Sequence, residues 1–161
     1  TAAPVAKQED LSRFLWPALV RSGNPATSKQ EMLALCAKRF AKQNVEPSEE
    51  VILEALLRRE KAQNTGVCHG VAMPHATMES LDQTYLLVEV LENPVEYDAP
   101  DNQPVDVVFA TLGPPQDRQL HLMLLAKLSG KILSSDLLRA MRNSKDSEEL
   151  YTIVRDSLQE D

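Results

Sequence analysis

Two stretches constrain this chain more than anything else: Tyr85–Leu91 and Val105–Leu112, nearly continuous apolar runs rich in Val and Leu and bounded by Pro94, Pro104 and Gly113. Their length and their flanking breakers suit strands. Strict alternation of apolar and polar residues is missing, so neither face of these strands is left to water. Strands of that kind require helices above and below them, and the remaining sequence supplies helices on both sides of the runs.

Ser28-Lys29-Gln30-Glu31 has the spacing of a capping box and opens a helix to about Gln43, with Met32, Leu33, Cys36 and Phe40 on its buried side. Pro47-Ser48-Glu49-Glu50 starts a second helix to about Lys61, acids first as the helix dipole favours. After the strand runs, helices are expected at about Asp117–Leu133, Ser135–Arg142 and Asp146–Leu158. Leu11–Leu15 reads as a short helical turn, Trp16–Val20 as an edge strand or packed entry segment, and Val71-Ala72-Met73 as a short apolar segment stopped by Pro74. The order of elements gives an α/β fold, one sheet layered between helices. At 161 residues this is one domain, expected over 11–161 behind a loose segment at 1–10.

With 17 Lys+Arg against 24 Asp+Glu the net charge is −7, and a phosphate backbone would repel such a surface. Aromatics are 4% of the chain and no basic stripe runs between them, so no nucleic-acid partner is expected. The longest uninterrupted apolar run, Met32–Ala37, is far short of a membrane span, so no direct membrane insertion is expected. No export signal is recognisable, and two cysteines are too few for a disulfide scaffold, which together point to a reduced, cytoplasmic protein. Thr1 is not a natural translation start, which leaves open a trimmed chain or a piece of a longer one.

The chemistry concentrates between Arg58 and Ala76. Ile52, Leu53, Ala55 and Leu56 define the buried arc of the second helix, and at 100° per residue Arg59 projects onto that arc while Arg58 does not. An inward guanidinium needs an anion, a carboxylate or a visiting phosphate, unless it caps the helix carbonyls or reaches back to water. His75 follows Pro74 at the end of a strand-like segment, on a loop with a fixed backbone; the plainer reading is an ordinary loop residue. His121 has Leu124, Leu125, Leu128 and Ile132 behind it at helical spacing, which suits either a functional group at the sheet edge or a satisfied histidine at the core rim.

Two histidines and an inward arginine suit phosphoryl transfer. Neutral imidazole is a competent nucleophile, a second imidazole can hydrogen-bond the transferred group, and a guanidinium can balance charge on its equatorial oxygens. No metal cage and no nucleotide-binding loop is required if the donor is a phosphoprotein, so neither cofactor nor metal is expected. Cys68 and His69 with His75 match no zinc spacing, and a Cys68 nucleophile has no supporting motif; packed Cys68 and solvated His69 are the plainer readings.

At this window the sequence resembles the mannitol/fructose/nitrogen-regulatory (type-2) IIA proteins of the phosphoenolpyruvate-dependent phosphotransferase system. The matching residues are Arg59-Glu60-Lys61, Thr65-Gly66, Gly70-Val71-Ala72-Met73-Pro74-His75, Asp101–Asp106, and His121-Leu122 with Lys127. The likeness runs from about residue 10 to 158. It implies a single-domain layered sandwich, a mixed β-sheet flanked by α-helices on both faces. It also implies a cytoplasmic phosphocarrier in which His75 takes a phosphoryl group from an HPr-like protein and passes it to a IIB domain. By the same resemblance His121 supports the phosphoryl group and Arg59 stabilises its charge. Asp101–Asp106 looks closest to the nitrogen-regulatory branch, in which phosphorylation is a signal to a regulatory target protein. The alternative is a regulatory binding module on the same fold that controls a transporter or kinase by contact. Cys68-His69 departs from the expected small-then-polar pair, which touches the loop rim where a donor docks and admits His69 as a surrogate phosphoryl site.

Overall fold

The computed structural model describes residues 10–43, 46–134 and 136–159. The expected loose segment at 1–10 lies outside them except for Asp10, whose side chain caps a 3-10 turn at Leu11–Phe14. The chain then forms β1 (Leu15–Asn24), α1 (Lys29–Gln43), α2 (Glu49–Ala62), β2 (Val71–Ala72), β3 (His75–Thr77), β4 (Tyr85–Val95), β5 (Val105–Gly113), α3 (Arg118–Ser134), α4 (Leu137–Arg142) and α5 (Ser147–Gln159).

The five strands make one mixed sheet in the order β1-β4-β5-β2. β1 lies parallel to β4, β4 antiparallel to β5, and β2 and β3 both parallel to β5. β2 and β3 are two lengths of one edge, and Pro74 is the reason for the break. It has no N–H to give the ladder, although its carbonyl still accepts from Thr111 N at 2.9 Å. Pairing resumes at His75, which therefore opens a short strand and does not stand on a loop past a strand end, as the sequence had suggested.

Both long strands are covered on both faces. Leu86, Val88, Val107 and Phe109 face one core with Leu124 and Leu128 of α3, Met141 of α4, and Leu150 and Val154 of α5. Leu87, Leu91, Val108 and Ala110 face the other with Met32, Leu33 and Phe40 of α1 and Ile52 and Leu56 of α2. Each of the larger of these side chains, fully withdrawn from water, contributes about 1.5–3 kcal/mol, so the apolar runs specify the two-sided cover as well as the sheet. Cys36 is fully buried in the α1–α2 core, as expected.

The helix starts are read correctly but in part by different atoms. Ser28 Oγ accepts from Glu31 N at 3.1 Å, while the Glu31 carboxylate is bound by the Thr27 hydroxyl and does not reach back to Ser28. Ser48 Oγ accepts from Val51 N and Asp146 Oδ1 from Glu149 N, one bond at each start. Among the described residues no helix is long and apolar enough to cross a membrane.

Candidate active site

The register of β3 on β5 sets the site. His75 pairs with Thr111, and α3, which follows β5 after the Pro114–Asp117 turn, brings His121 over the same end of the sheet. The two imidazoles meet edge to face with ring centroids 5.1 Å apart and planes at 73°. They line an open pocket of about 420 Å³ shared with Pro114, Arg118, Leu122 and Leu125. Leu122 is 57% exposed, so apolar surface continues from the pocket onto the outside of α3.

Arg59 approaches from the last turn of α2. Its Nε–H donates to His75 Nε2 at 2.9 Å and its Nη1 to the Gln63 carbonyl at 2.8 Å. The guanidinium closes the helix carbonyls, as the plainer sequence reading had it, and also reaches inward, to an imidazole lone pair.

His75 Nδ1 lies 3.1 Å from the Met73 carbonyl, which can only accept. The two contacts fix the tautomer: the ring proton sits on Nδ1 and the lone pair on Nε2. Burial lowers the His75 pKa below its ordinary value and the Arg59 charge adds to this, while the Met73 carbonyl and Glu60 oppose it. His121 Nε2 lies 2.9 Å from the Thr111 hydroxyl, and burial, with a smaller push from His75, takes the His121 pKa down to about 4. Both rings are neutral near pH 7, and that is the state a nitrogen nucleophile needs.

The sequence missed how the backbone under His75 is fixed. Glu60, buried beside Arg59, accepts from Thr65 N at 2.9 Å and from the Thr65 hydroxyl, and pairs with Lys29 Nζ at 2.8 Å. Tyr97 OH meets the same Thr65 hydroxyl at 2.7 Å, and Lys29 stands over the Tyr97 ring. Thr65 in turn accepts from Met73 N at 2.9 Å, so a carboxylate on α2 holds the very residue whose carbonyl fixes the His75 tautomer. Glu60 follows three apolar positions of the buried arc at helical spacing, the one signal that could have found it. Thr111 and Arg118 were missed as well; Thr111 is a polar residue near the end of a nearly continuous apolar run.

Cys68 is half-buried against the α3–α5 core. His69 is exposed with φ 56°, and its carbonyl accepts from Arg142, which also grips Asp106. It sits at the opposite end of β5: Val71 pairs with Val107 and His75 with Thr111, four residues or roughly 13 Å along the strand. Lys127 donates to the Leu158 carbonyl at 2.6 Å, closing the end of α5. Among the described residues no three His, Cys, Asp or Glu side chains gather to hold a metal.

The family model of the phosphoenolpyruvate-dependent sugar phosphotransferase system, EIIA 2, matches residues 13–157. The chain belongs to this family. It is 37% identical over 150 residues to the nitrogen regulatory protein of Escherichia coli K12, covering 91% of this chain and 90% of that protein. Its structure is similar to that of the nitrogen regulatory protein IIA-Ntr from Neisseria meningitidis, with a TM-score of 0.82 at 26% identity over 89% of this chain and 98% of that one. The fold, though at 17% identity only the fold, is shared with the IIA component in the complex of enzyme IIA mannitol and phosphorylated enzyme IIB mannitol from Escherichia coli; the TM-score is 0.67, over 82% and 90% of the two chains. The expected family, its nitrogen-regulatory leaning and the mixed sheet between helices agree with these likenesses. The chain is thus a IIA-type component of a phosphotransferase system.

Proposed function

We propose that this EIIA-type domain, over 11–161, is a phosphohistidine carrier whose acceptor atom is His75 Nε2. The observation that carries the reading is the fixed tautomer. With Nδ1–H committed to the Met73 carbonyl, Nε2 is the nucleophilic nitrogen, held beside a pocket by an arginine that can move onto an incoming phosphoryl group. The donor is an HPr-like phosphoprotein. Its N–P bond breaks as the His75 Nε2–P bond forms, and the donor imidazole leaves with the electron pair. The Nδ1–H stays on His75, and the Met73 carbonyl steadies the positive charge that the phosphorylated ring acquires. Arg59 then exchanges its bond to Nε2 for bonds to phosphoryl oxygens, and His121 donates to the same group.

Leu122 and Leu125, which line the pocket, give a protein partner an apolar seat around the transferring atoms. The acceptor is a IIB domain or, in keeping with the nitrogen regulatory relatives, a target that reads the phosphorylation state. New negative charge on His75 alters the surface such a partner contacts. The second reading, a binding module that transfers nothing, is favoured only by those relatives' names.

The test is intact-mass spectrometry after incubation with phosphoenolpyruvate, Enzyme I and an HPr-like carrier. One acid-labile phosphoryl group is expected on the wild type and none on His75→Ala. A wild type that stays unmodified, or a His75→Ala variant modified as fully as the wild type, ends the proposal.

A further inference from the structure

Thr111 is tied to both histidines. Its backbone N–H donates to the Pro74 carbonyl, the ladder bond just before His75, and His75 is its register partner. Its hydroxyl lies 2.9 Å from His121 Nε2. The residue is fully buried, so water does not reach the hydroxyl, and His121 is its side-chain partner among the described residues.

A hydroxyl has one proton to place. Were His121 protonated on Nε2 and donating to Oγ1, the Thr111 proton would be left in the core without an acceptor, a state that folding penalises. The reverse arrangement satisfies both groups: Thr111 donates to an unprotonated Nε2, and the ring proton resides on Nδ1. Nδ1 makes no hydrogen bond to protein among the described residues. No buried side-chain nitrogen or oxygen there lacks a partner, so Nδ1 is the solvent-accessible nitrogen of a ring that lines the pocket.

We propose that Thr111 is a positioning residue that holds His121 in the Nδ1–H tautomer, so that this N–H is the donor offered to the phosphoryl group. The second half rests on the reading of His75 as the acceptor; the tautomer itself does not. The low basicity of His121 agrees, because a ring neutral over the working pH range has only one N–H to offer and its location decides the function.

Nitrogen-15 NMR of the unphosphorylated protein near pH 7.5 tests the tautomer in wild type, Thr111→Val and Thr111→Ser. Valine matches threonine in shape and keeps the backbone bond to Pro74, so the His75 ring signals should stay in place. Wild type and Thr111→Ser should give an unprotonated Nε2, and Thr111→Val should move toward the Nε2–H form. A wild-type His121 already protonated on Nε2, or a tautomer untouched in Thr111→Val, overturns the proposal. Transfer from the phosphorylated HPr-like carrier supplies the second readout. In Thr111→Val, kcat should fall about tenfold with little change in KM, and serine should restore it. An unchanged kcat refutes the functional half. If the wild type takes up no phosphoryl group, the carrier reading has failed, while the NMR result still decides what Thr111 does to His121. If Thr111→Val does not fold, the wild-type and Thr111→Ser spectra carry the decision.

Discussion

Arg59 Nε stands 2.9 Å from His75 Nε2, so the resting protein keeps a guanidinium on the lone pair that attacks in the proposed transfer. In that proposal the contact does two jobs at different stages: it holds the ring neutral beforehand and becomes charge stabilisation once phosphoryl oxygens arrive. Arg59→Ala should slow phosphoryl uptake by about 100-fold, the scale of one lost donor to developing charge. Arg59→Lys should recover only part of the rate, because an ammonium lacks the planar fork. An NMR titration should also show the His75 pKa rising in Arg59→Ala, since the arginine charge presses it down. Unchanged uptake would reduce Arg59 to a helix cap on Gln63.

The depressed histidines make stability depend on pH in a defined direction. An unfolded histidine binds its proton near pH 6.5, and folded His121 only near 4, so acid favours the unfolded chain between those values. The contribution of His121 is therefore complete above about pH 6.5 and is lost as pH falls toward 4. It amounts to on the order of 2 kcal/mol, once solvent access at the pocket is allowed for. Carboxylates titrate in the same range, so the measurement is a difference. In urea unfolding at pH 7 and pH 5, His121→Gln should lose less stability on acidification than the wild type. His75 shifts the same way, so uptake of phosphate should hold steady somewhat below pH 6.5 before it declines.

Glu60 ties α2 to the segment under His75. Its loss strands Thr65 and leaves Lys29 partly buried without its carboxylate. Glu60→Ala should cost about 2–3 kcal/mol in chemical denaturation, less than breaking a fully buried pair because Lys29 keeps some contact with water. Tyr97→Phe removes one hydrogen bond of the same network and should cost about 1 kcal/mol. Phosphoryl uptake should drop in Glu60→Ala by more than in Tyr97→Phe, because the carboxylate is the closer support of Thr65 and hence of Met73. Wild-type rates in both variants would detach the network from the site.

The layered fold was legible because Tyr85–Leu91 and Val105–Leu112 have no face to spare for water, and the helices on either side have clear starts. From the residues alone the neighbourhood of His75 and His121 was legible only as two chain segments ending near one sheet edge; the family resemblance implied it by placing both on one phosphoryl group. What joins them is a strand register, His75 on Thr111, and periodicity carries no register between segments 36 residues apart. What the polar positions inside the apolar pattern, Glu60, Glu89 and Thr111, bind was hidden for a related reason. Their partners come from distant elements, and a residue type alone does not name its partner.

Glu89 offers the sharpest case. It lies in the middle of β4, fully buried, with Arg39 Nε of α1 at 2.5 Å and Asn24 Nδ2 at 3.2 Å. Burial raises its pKa, and Arg39 and Asn24 bring it part of the way back. Arg39→Met removes the chief compensation and leaves a carboxylate inside a core, which should cost about 3–5 kcal/mol at pH 7. The defect should ease in acid. A carboxyl with its folded pKa raised above the unfolded value binds its proton first in the folded state, so stability is retained at low pH and lost as pH rises through the folded pKa. The stability gap between wild type and Arg39→Met should therefore be widest near pH 7 and narrow toward pH 5. Pairing Arg39→Met with Glu89→Leu should restore most of the loss at pH 7, since an apolar pair needs no compensation. A gap that is the same at both pH values would mean that Glu89 is not the charge Arg39 serves.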